Sequence, residues 1–298
     1  MKVLIIGLGS IARKHIAALF KINPEVEIVA LRSNKEVQSV DNVSNIFSQK
    51  EVLANTFDFA IISSPTFKHV EDIEFCLNLK IPLLIEKPLF HTLEINTVLE
   101  KAKAIPTYVG CNLRFLECLR FVKNHIHKSE VKVNEVNSYY GSYLPEWREN
   151  VDFRKNYSVD PKQGGGVHLD LIHEVDYLYW IFGNPIETSK TFRSNSTLKI
   201  KSVDYASYDL VFEKFIAHVQ LNYFRRDKKR TLEIVCEEYT LLVDLLKNEV
   251  FQNGVSIYKS DKSILDTYHD QMKYFIKNRN SKMMNDLEEA AQILKIAL

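Results

Sequence analysis

Three short constellations in this chain carry groups that can do chemistry. Gly7-Leu8-Gly9-Ser10-Ile11-Ala12 has the spacing G-x-G-x-x-A. Between a strand and a helix, Gly7 permits a tight turn, Gly9 lets a pyrophosphate approach the backbone, and Ala12 keeps the helix close to the strand. Unpaired N–H groups at the helix start, those of Ser10 and Ile11 among them, then face the phosphates. A glycine turn with no ligand is the competing reading, and the place within a strand–helix–strand unit favours a dinucleotide. The second constellation, Glu86-Lys87-Pro88, ends an apolar strand. Carboxyl ends of parallel strands line the ligand crevice, so Lys87 is expected beside a bound nicotinamide, where it can bond a substrate oxygen or relay its proton. A surface lysine in a turn is the plainer alternative.

The third constellation runs from Gly164-Gly165-Gly166 through His168, Asp170 and His173 to Asp176. Glycines leave room for a ligand, and a histidine suits proton transfer in both directions of an alcohol–carbonyl exchange. Read as one helix over 168–182, the segment puts Asp170 and Asp176 each three residues from His173, so either carboxylate could orient the imidazole. A helix histidine satisfied by Asp176 alone is the bland reading. His168, five residues away, falls on another side.

The elements that must position these groups follow from periodicity. Apolar runs Val3–Ile6, Ile28–Leu31, Phe59–Ile62, Leu83–Ile85 and Tyr108–Val109 alternate with helical patterns near 11–21, 67–80 and 91–104. That alternation predicts a doubly wound parallel sheet. After a helix at 116–127 the pattern changes: a strand ends at Tyr139–Tyr143, 144–166 is irregular, and 186–258 reads as strands in a mostly antiparallel sheet. Helices near 264–279 and 285–298 close the chain. The expected fold is α/β, a Rossmann domain over 1–117 followed by an α+β domain with a large open sheet over 118–298, whose last helix can return to the first domain.

The second strand tests which dinucleotide binds. It runs into Arg32-Ser33-Asn34, without a carboxylate at its end. Guanidinium and hydroxyl groups bind a 2′-phosphate that a carboxylate would repel, so NADP(H) is the expected preference, with Arg32 and Ser33 on the phosphate and NAD(H) possible. The alternative has Arg32 in solvent and Glu36 on the ribose.

The chain resembles the glucose–fructose oxidoreductase and inositol dehydrogenase family, often written Gfo/Idh/MocA. The resemblance rests on Gly7–Ala12, on Ser63-Ser64-Pro65-Thr66 with His69, and on Glu86-Lys87-Pro88-Leu89. Val109-Gly110-Cys111-Asn112-Leu113-Arg114-Phe115 and Gly164–Gly166 before His173-Glu174-Val175-Asp176 continue it. The stretch from Gly141 through Trp147-Arg148 to Phe182-Gly183 is most similar to members associated with bacterial surface-sugar biosynthesis. The resemblance implies a nicotinamide cofactor, hydride transfer at a sugar or polyol carbon, and a homodimer or homotetramer formed through the open sheet. It implies catalytic roles for Lys87 and His173. Ser64, Pro65, Thr66, His69, Glu86, Asn112, Trp147 and Arg148 join the expected cofactor set, and Asn112, Tyr157 and Asp176 the substrate set. Many relatives place Asp four residues before the histidine; here that position is Leu169, and Asp170 is the weaker candidate for its work.

The 298 residues suggest two domains, and 46% hydrophobic with 26% charged residues is ordinary for a globular chain. A net charge of +1 removes the overall electrostatic hint of nucleic-acid binding. The run Arg225–Arg230 reads as a solvated hairpin. Cys76, Cys111, Cys118 and Cys236 form no C-x-x-C pair and no zinc spacing, so no metal is expected. They fit a reducing compartment, and with no apolar run near ~20 residues the expectation is a cytoplasmic protein off the membrane. Two rivals remain: a silent dinucleotide-binding sensor, which would not need both Lys87 and His173, and an NAD-dependent oxidation–elimination glycosidase, disfavoured by the missing acid after Leu31.

Overall fold

The computed structural model describes residues 1–33, 39–93, 96–128, 131–149 and 151–298. It divides into two units, Met1–Cys111 with Leu265–Lys295, and Asn112–Ile264 with Ile296–Leu298.

The first unit holds β1 (Lys2–Ile6), α1 (Ser10–Ile22), β2 (Glu27–Leu31), β3 (Val43–Ile46), α2 (Gln49–Leu53), β4 (Phe59–Ile62), α3 (His69–Leu77), β5 (Leu83–Glu86), α4 (Asn96–Ala102) and β6 (Thr107–Gly110). Its six strands are all parallel in the order β3-β2-β1-β4-β5-β6. The strand direction of travel across the sheet reverses between β1 and β4, which is where ligands bind in such sheets. The apolar runs form the strands because both faces are covered: Val3, Leu4, Ile5 and all of Phe59–Ile62 are fully buried. β3 escaped the sequence reading because Val43-Ser44-Asn45-Ile46 has one buried residue and no apolar run.

The second unit opens with α5 (Glu117–Lys128) and β7 (Val133–Tyr143), then crosses four short 3-10 turns to α6 (Val167–Asp170) and α7 (His173–Phe182). Strands β8 (Glu187–Arg193), β9 (Tyr205–Val211), β10 (Ile216–Asn222), β11 (Phe224–Cys236), β12 (Thr240–Asp244), β13 (Glu249–Gln252) and β14 (Val255–Lys259) follow. The sheet order is β14-β13-β12-β11-β7-β10-β9-β8, antiparallel throughout except for the β7–β10 pair. Alternate residues of β9 and β10 are buried, the signature of a sheet covered on one face. Tyr177 of α7 meets Ser138 of β7 through their hydroxyls at 2.7 Å, so α7 lies on that covered face.

Two expectations change. The helix expected over 168–182 is two helices: Leu171 leaves helical backbone (φ −104°, ψ 27°), and Leu171 and Ile172 are both buried at the break. The division of the chain falls at 111/112 instead of 117/118, and α8 (Ile264–Asn278) with α9 (Leu287–Ala297) lies largely in the first unit. Packing explains this. Phe275 of α8 sits edge-on to Phe59 of β4 at 5.0 Å between ring centroids, and Asn285 exchanges two hydrogen bonds with the edge backbone of Val109, at 2.8 and 2.7 Å.

Candidate active site

Gly7 follows β1 in the left-handed region, φ +84°, and a Cβ there would stand 2.5 Å from the Cα and N of Ser64. Those are backbone atoms of the neighbouring β4 loop, so the position admits glycine alone. Ser63 locks the approach, donating its hydroxyl to Gly7 O at 2.7 Å and its N–H to Ile6 O at 2.8 Å. Over Gly9, by contrast, nothing lies within 4 Å. Helix α1 begins there with no side-chain cap and no acidic residue in its first turn. Open space above the N–H groups of the first turn fits a dinucleotide pyrophosphate, with Gly7 and Gly9 in the turn and Ser10, Ile11 and Ala12 opening α1.

The rest of the expected cofactor set divides. Pro65 is exposed and Ser64 half-buried at the β4 loop, while Thr66 is buried. The Ser64 hydroxyl bonds the Asp72 carboxylate, whose pKa burial pushes up. His69 is buried, with Nε2 3.0 Å from Ser64 O and Nδ1 3.0 Å from Leu89 O; burial lowers its pKa, against those two carbonyls. It staples the β4 loop to the turn after β5. Arg32 is only 7% exposed, which corrects the alternative that it lies in solvent. Its N–H donates to Ile46 O at 2.9 Å and its Nη1 to Asn45 Oδ1 at 3.1 Å, both on β3, with Ser33 exposed beside it. Asn34 and Glu36 lie outside the described residues.

Lys87 follows β5 and is half-buried. Glu86 was expected among the cofactor ligands, but its carboxylate turns inward: Oε1 meets His15 Nε2 of α1 at 2.6 Å, and Oε2 accepts the Lys87 N–H at 3.3 Å. The sequence reading missed His15. Its signal was there, since His15 lies three residues after Ala12 on the same buried face of α1. Lys14, the residue before it, has its pKa lowered by partial burial and by Lys87, with Glu86 opposing.

In the second unit, Asn112 and Arg114 follow β6 and are buried. Arg114 grips Asp176 of α7 through Nε at 3.1 Å and Nη2 at 2.7 Å, both side chains fully buried. Glu174 receives Arg230 Nε of β11 at 2.6 Å. The carboxylate of Asp176 is thus an internal anchor for α7, which corrects its expected role as a substrate ligand. His173 is the first residue of α7 and half-buried, ahead of both anchors. Leu171 interrupts the helix between Asp170 and His173, so Asp170 ends α6 and His173 opens α7. Asp170 accepts Tyr157 OH at 3.0 Å and Tyr223 OH at 2.5 Å. Its charge is the first cause raising the Tyr157 pKa; burial is the first for Tyr223. Trp147 stands edge-on to Tyr223 at 5.3 Å and donates Nε1 to Ser142, and Arg148 lies 5.8 Å from the Tyr157 ring. The structure therefore gathers Trp147, Arg148, Tyr157 and Asp170 into one cluster. His168 packs on Phe192, at 4.8 Å.

Among the described residues no group of three or more His, Cys, Asp or Glu could hold a metal, and no helix is long and apolar enough to cross a membrane.

Residues 1–110 match the model of an oxidoreductase family with an NAD-binding Rossmann fold, GFO/IDH/MocA, and residues 129–242 match that of a GFO/IDH/MocA C-terminal domain. Glucose-6-phosphate 3-dehydrogenase of Bacillus subtilis (strain 168) is 24% identical over 266 residues, 86% of this chain and 67% of the relative. An uncharacterized oxidoreductase of Synechocystis sp. is 26% identical over 204 residues, 61% of this chain and 52% of the relative, so the match spans about half of that protein. In fold, the chain is similar over its full length to levoglucosan dehydrogenase in complex with NADH (TM-score 0.83, 14% identity, 95% of that chain). It is also similar to myo-inositol dehydrogenase of Corynebacterium glutamicum (TM-score 0.78, 18% identity, 94% of that chain) and UDP-N-acetylglucosamine 3-dehydrogenase of Acidithiobacillus ferrooxidans (TM-score 0.76, 16% identity, 95% of that chain).

Proposed function

The chain belongs to the GFO/IDH/MocA family of oxidoreductases with an NAD-binding Rossmann fold, and on that premise we propose that it moves a hydride between a nicotinamide cofactor and a sugar. The observation that carries the reading is the cradle. Gly7 is pressed on the Ser64 backbone, open space lies over Gly9, and Lys87 follows β5, the second strand over from β1. The similar proteins named above act on a sugar phosphate, an anhydrosugar, inositol or a nucleotide sugar, which supports a sugar or polyol carbon as the reacting centre.

The cofactor supplies the hydride acceptor or donor. The N–H groups of Ser10 and Ile11 bind its pyrophosphate, with Gly9 leaving the approach clear. Lys87 Nζ holds the reacting oxygen. The His173 imidazole takes the hydroxyl proton on oxidation and returns it on reduction. Tyr157, hydrogen-bonded to Asp170, contacts the sugar, and Asn112 serves from the turn after β6. Arg32 and Ser33 take a 2′-phosphate, giving a preference for NADP(H). The open sheet face, with Ile216 and Leu242 exposed, joins copies into a homodimer or homotetramer. Four buried cysteines, none in a disulfide, suit the cytoplasm.

The test is to incubate the protein with NADP+ or NAD+ and free, phosphorylated and nucleotide-linked sugars while following absorbance of the reduced nicotinamide. At least one sugar class should reduce the cofactor. A protein that binds the cofactor yet leaves it unchanged with every class, in both directions, returns the sensor reading.

A further inference from the structure

We propose that His15 and Glu86 are positioning residues that fix the Lys87 turn to the helix bearing the cofactor cradle. The inference rests on the reading of Lys87 as the group that holds the reacting oxygen. Its geometry lies wholly within the first unit. His15 is fully buried on α1, five residues past Ser10, where the helix meets the phosphates. A carboxylate only accepts, so His15 Nε2 carries the proton and donates to Glu86 Oε1 at 2.6 Å. The other oxygen of Glu86 accepts the backbone N–H of Lys87 at 3.3 Å. One carboxylate thus joins the second turn of α1 to the peptide bond of the lysine.

Three neighbours make this a built arrangement. Gly110, paired with Glu86 across β5 and β6, leaves room for the carboxylate: a Cβ there would come within 3.1 Å of Glu86 Oε1. Tyr268 of α8 sets its ring at 78° to His15, 6.0 Å between centroids. On the far side of the turn, His69 holds Leu89 O. The segment Lys87–Leu89 is therefore held from both ends by buried histidines, one on α1 and one on α3. A buried polar pair of this kind is not needed for packing, since apolar side chains fill such a space as well. What it adds is direction at a hydrogen-bonding group next to Lys87.

The test uses His15→Leu and His15→Gln in the full chain. Leu fills the space without a donor, and Gln restores one. Amide hydrogen exchange of the 84–90 segment is read beside β1 and β4, together with kcat and the KM for the cofactor. His15→Leu should lose at least about tenfold of the protection in 84–90 with β1 and β4 unchanged, and His15→Gln should recover most of it. Turnover should follow, with kcat down about tenfold and the cofactor KM within about threefold. Unchanged exchange in 84–90 overturns the proposal. So does loss of protection across the whole sheet, which would make His15 an ordinary core residue. Lys87→Met separates the two readings: full turnover in that variant removes the catalytic lysine but leaves the exchange result to judge the His15–Glu86 link.

Discussion

The two units hold their candidate functional residues by different means. In the first, the work is done by backbone: a glycine at φ +84° pressed on Ser64, a second glycine under open space, and an uncapped helix start. In the second, it is done by buried charge. Asp176 and Glu174, two residues apart on α7, are each held by an arginine from a distant element, Arg114 and Arg230, and His173 stands just ahead of them. A backbone cradle needs few residues and tolerates change elsewhere. A charge-anchored helix fails when one partner is lost, because the other is left unpaired out of water.

The largest effects should strike chemistry and spare the fold in both units. Lys87→Met and His173→Ala should each lower kcat by ~10²–10⁴-fold, with the denaturant midpoint and cofactor affinity near those of the parent. If only one of them loses turnover, the two units do not share the acid/base work. Next comes the charge anchor. Asp176→Asn leaves the Arg114 guanidinium buried opposite a neutral amide and should cost about 3–5 kcal/mol of stability, read from urea unfolding. A cost below ~1 kcal/mol would erase the contrast drawn here.

A third effect is set by pH. Burial pushes the His168 pKa down to about 4 from an ordinary 6.5. Between those values the unfolded chain binds a proton that the folded chain refuses, so stability falls as pH drops through the window. The His168 contribution to that loss is about 3 kcal/mol by pH 4. In His168→Gln the midpoint should fall less steeply from pH 6.5 to 4 than in the parent; parallel curves would remove the assignment. The smallest effect belongs to the first unit. Arg32→Ala should raise the KM for NADP(H) about tenfold more than that for NAD(H), as loss of one charged hydrogen bond implies. Equal changes would leave cofactor choice to other residues.

This contrast also explains what could be read in advance. The cradle is written locally, in six consecutive residues, and every apolar run of the first unit became a strand. The strand without such a run, β3, did not show. The second unit hides its logic in partners far apart in the chain. Arg114 meets Asp176 62 residues later, and nothing in spacing pairs them. The break at Leu171 was equally silent, because Leu171 and Ile172 continue a helical pattern while burying themselves outside it. His15 was legible by position, yet only the fold reveals Glu86 as its partner.

The return of residues 265–295 to the first unit has a consequence for the chain's history on the ribosome. Residues 1–111 emerge before 265–295 and at that point lack Phe275 over Phe59 and the Asn285 bonds that close the edge at Val109. At ~5–20 residues per second their completing helices arrive roughly ten to forty seconds later. Through that interval the nascent sheet keeps an apolar face and an unpaired border, the condition in which chaperones find their clients.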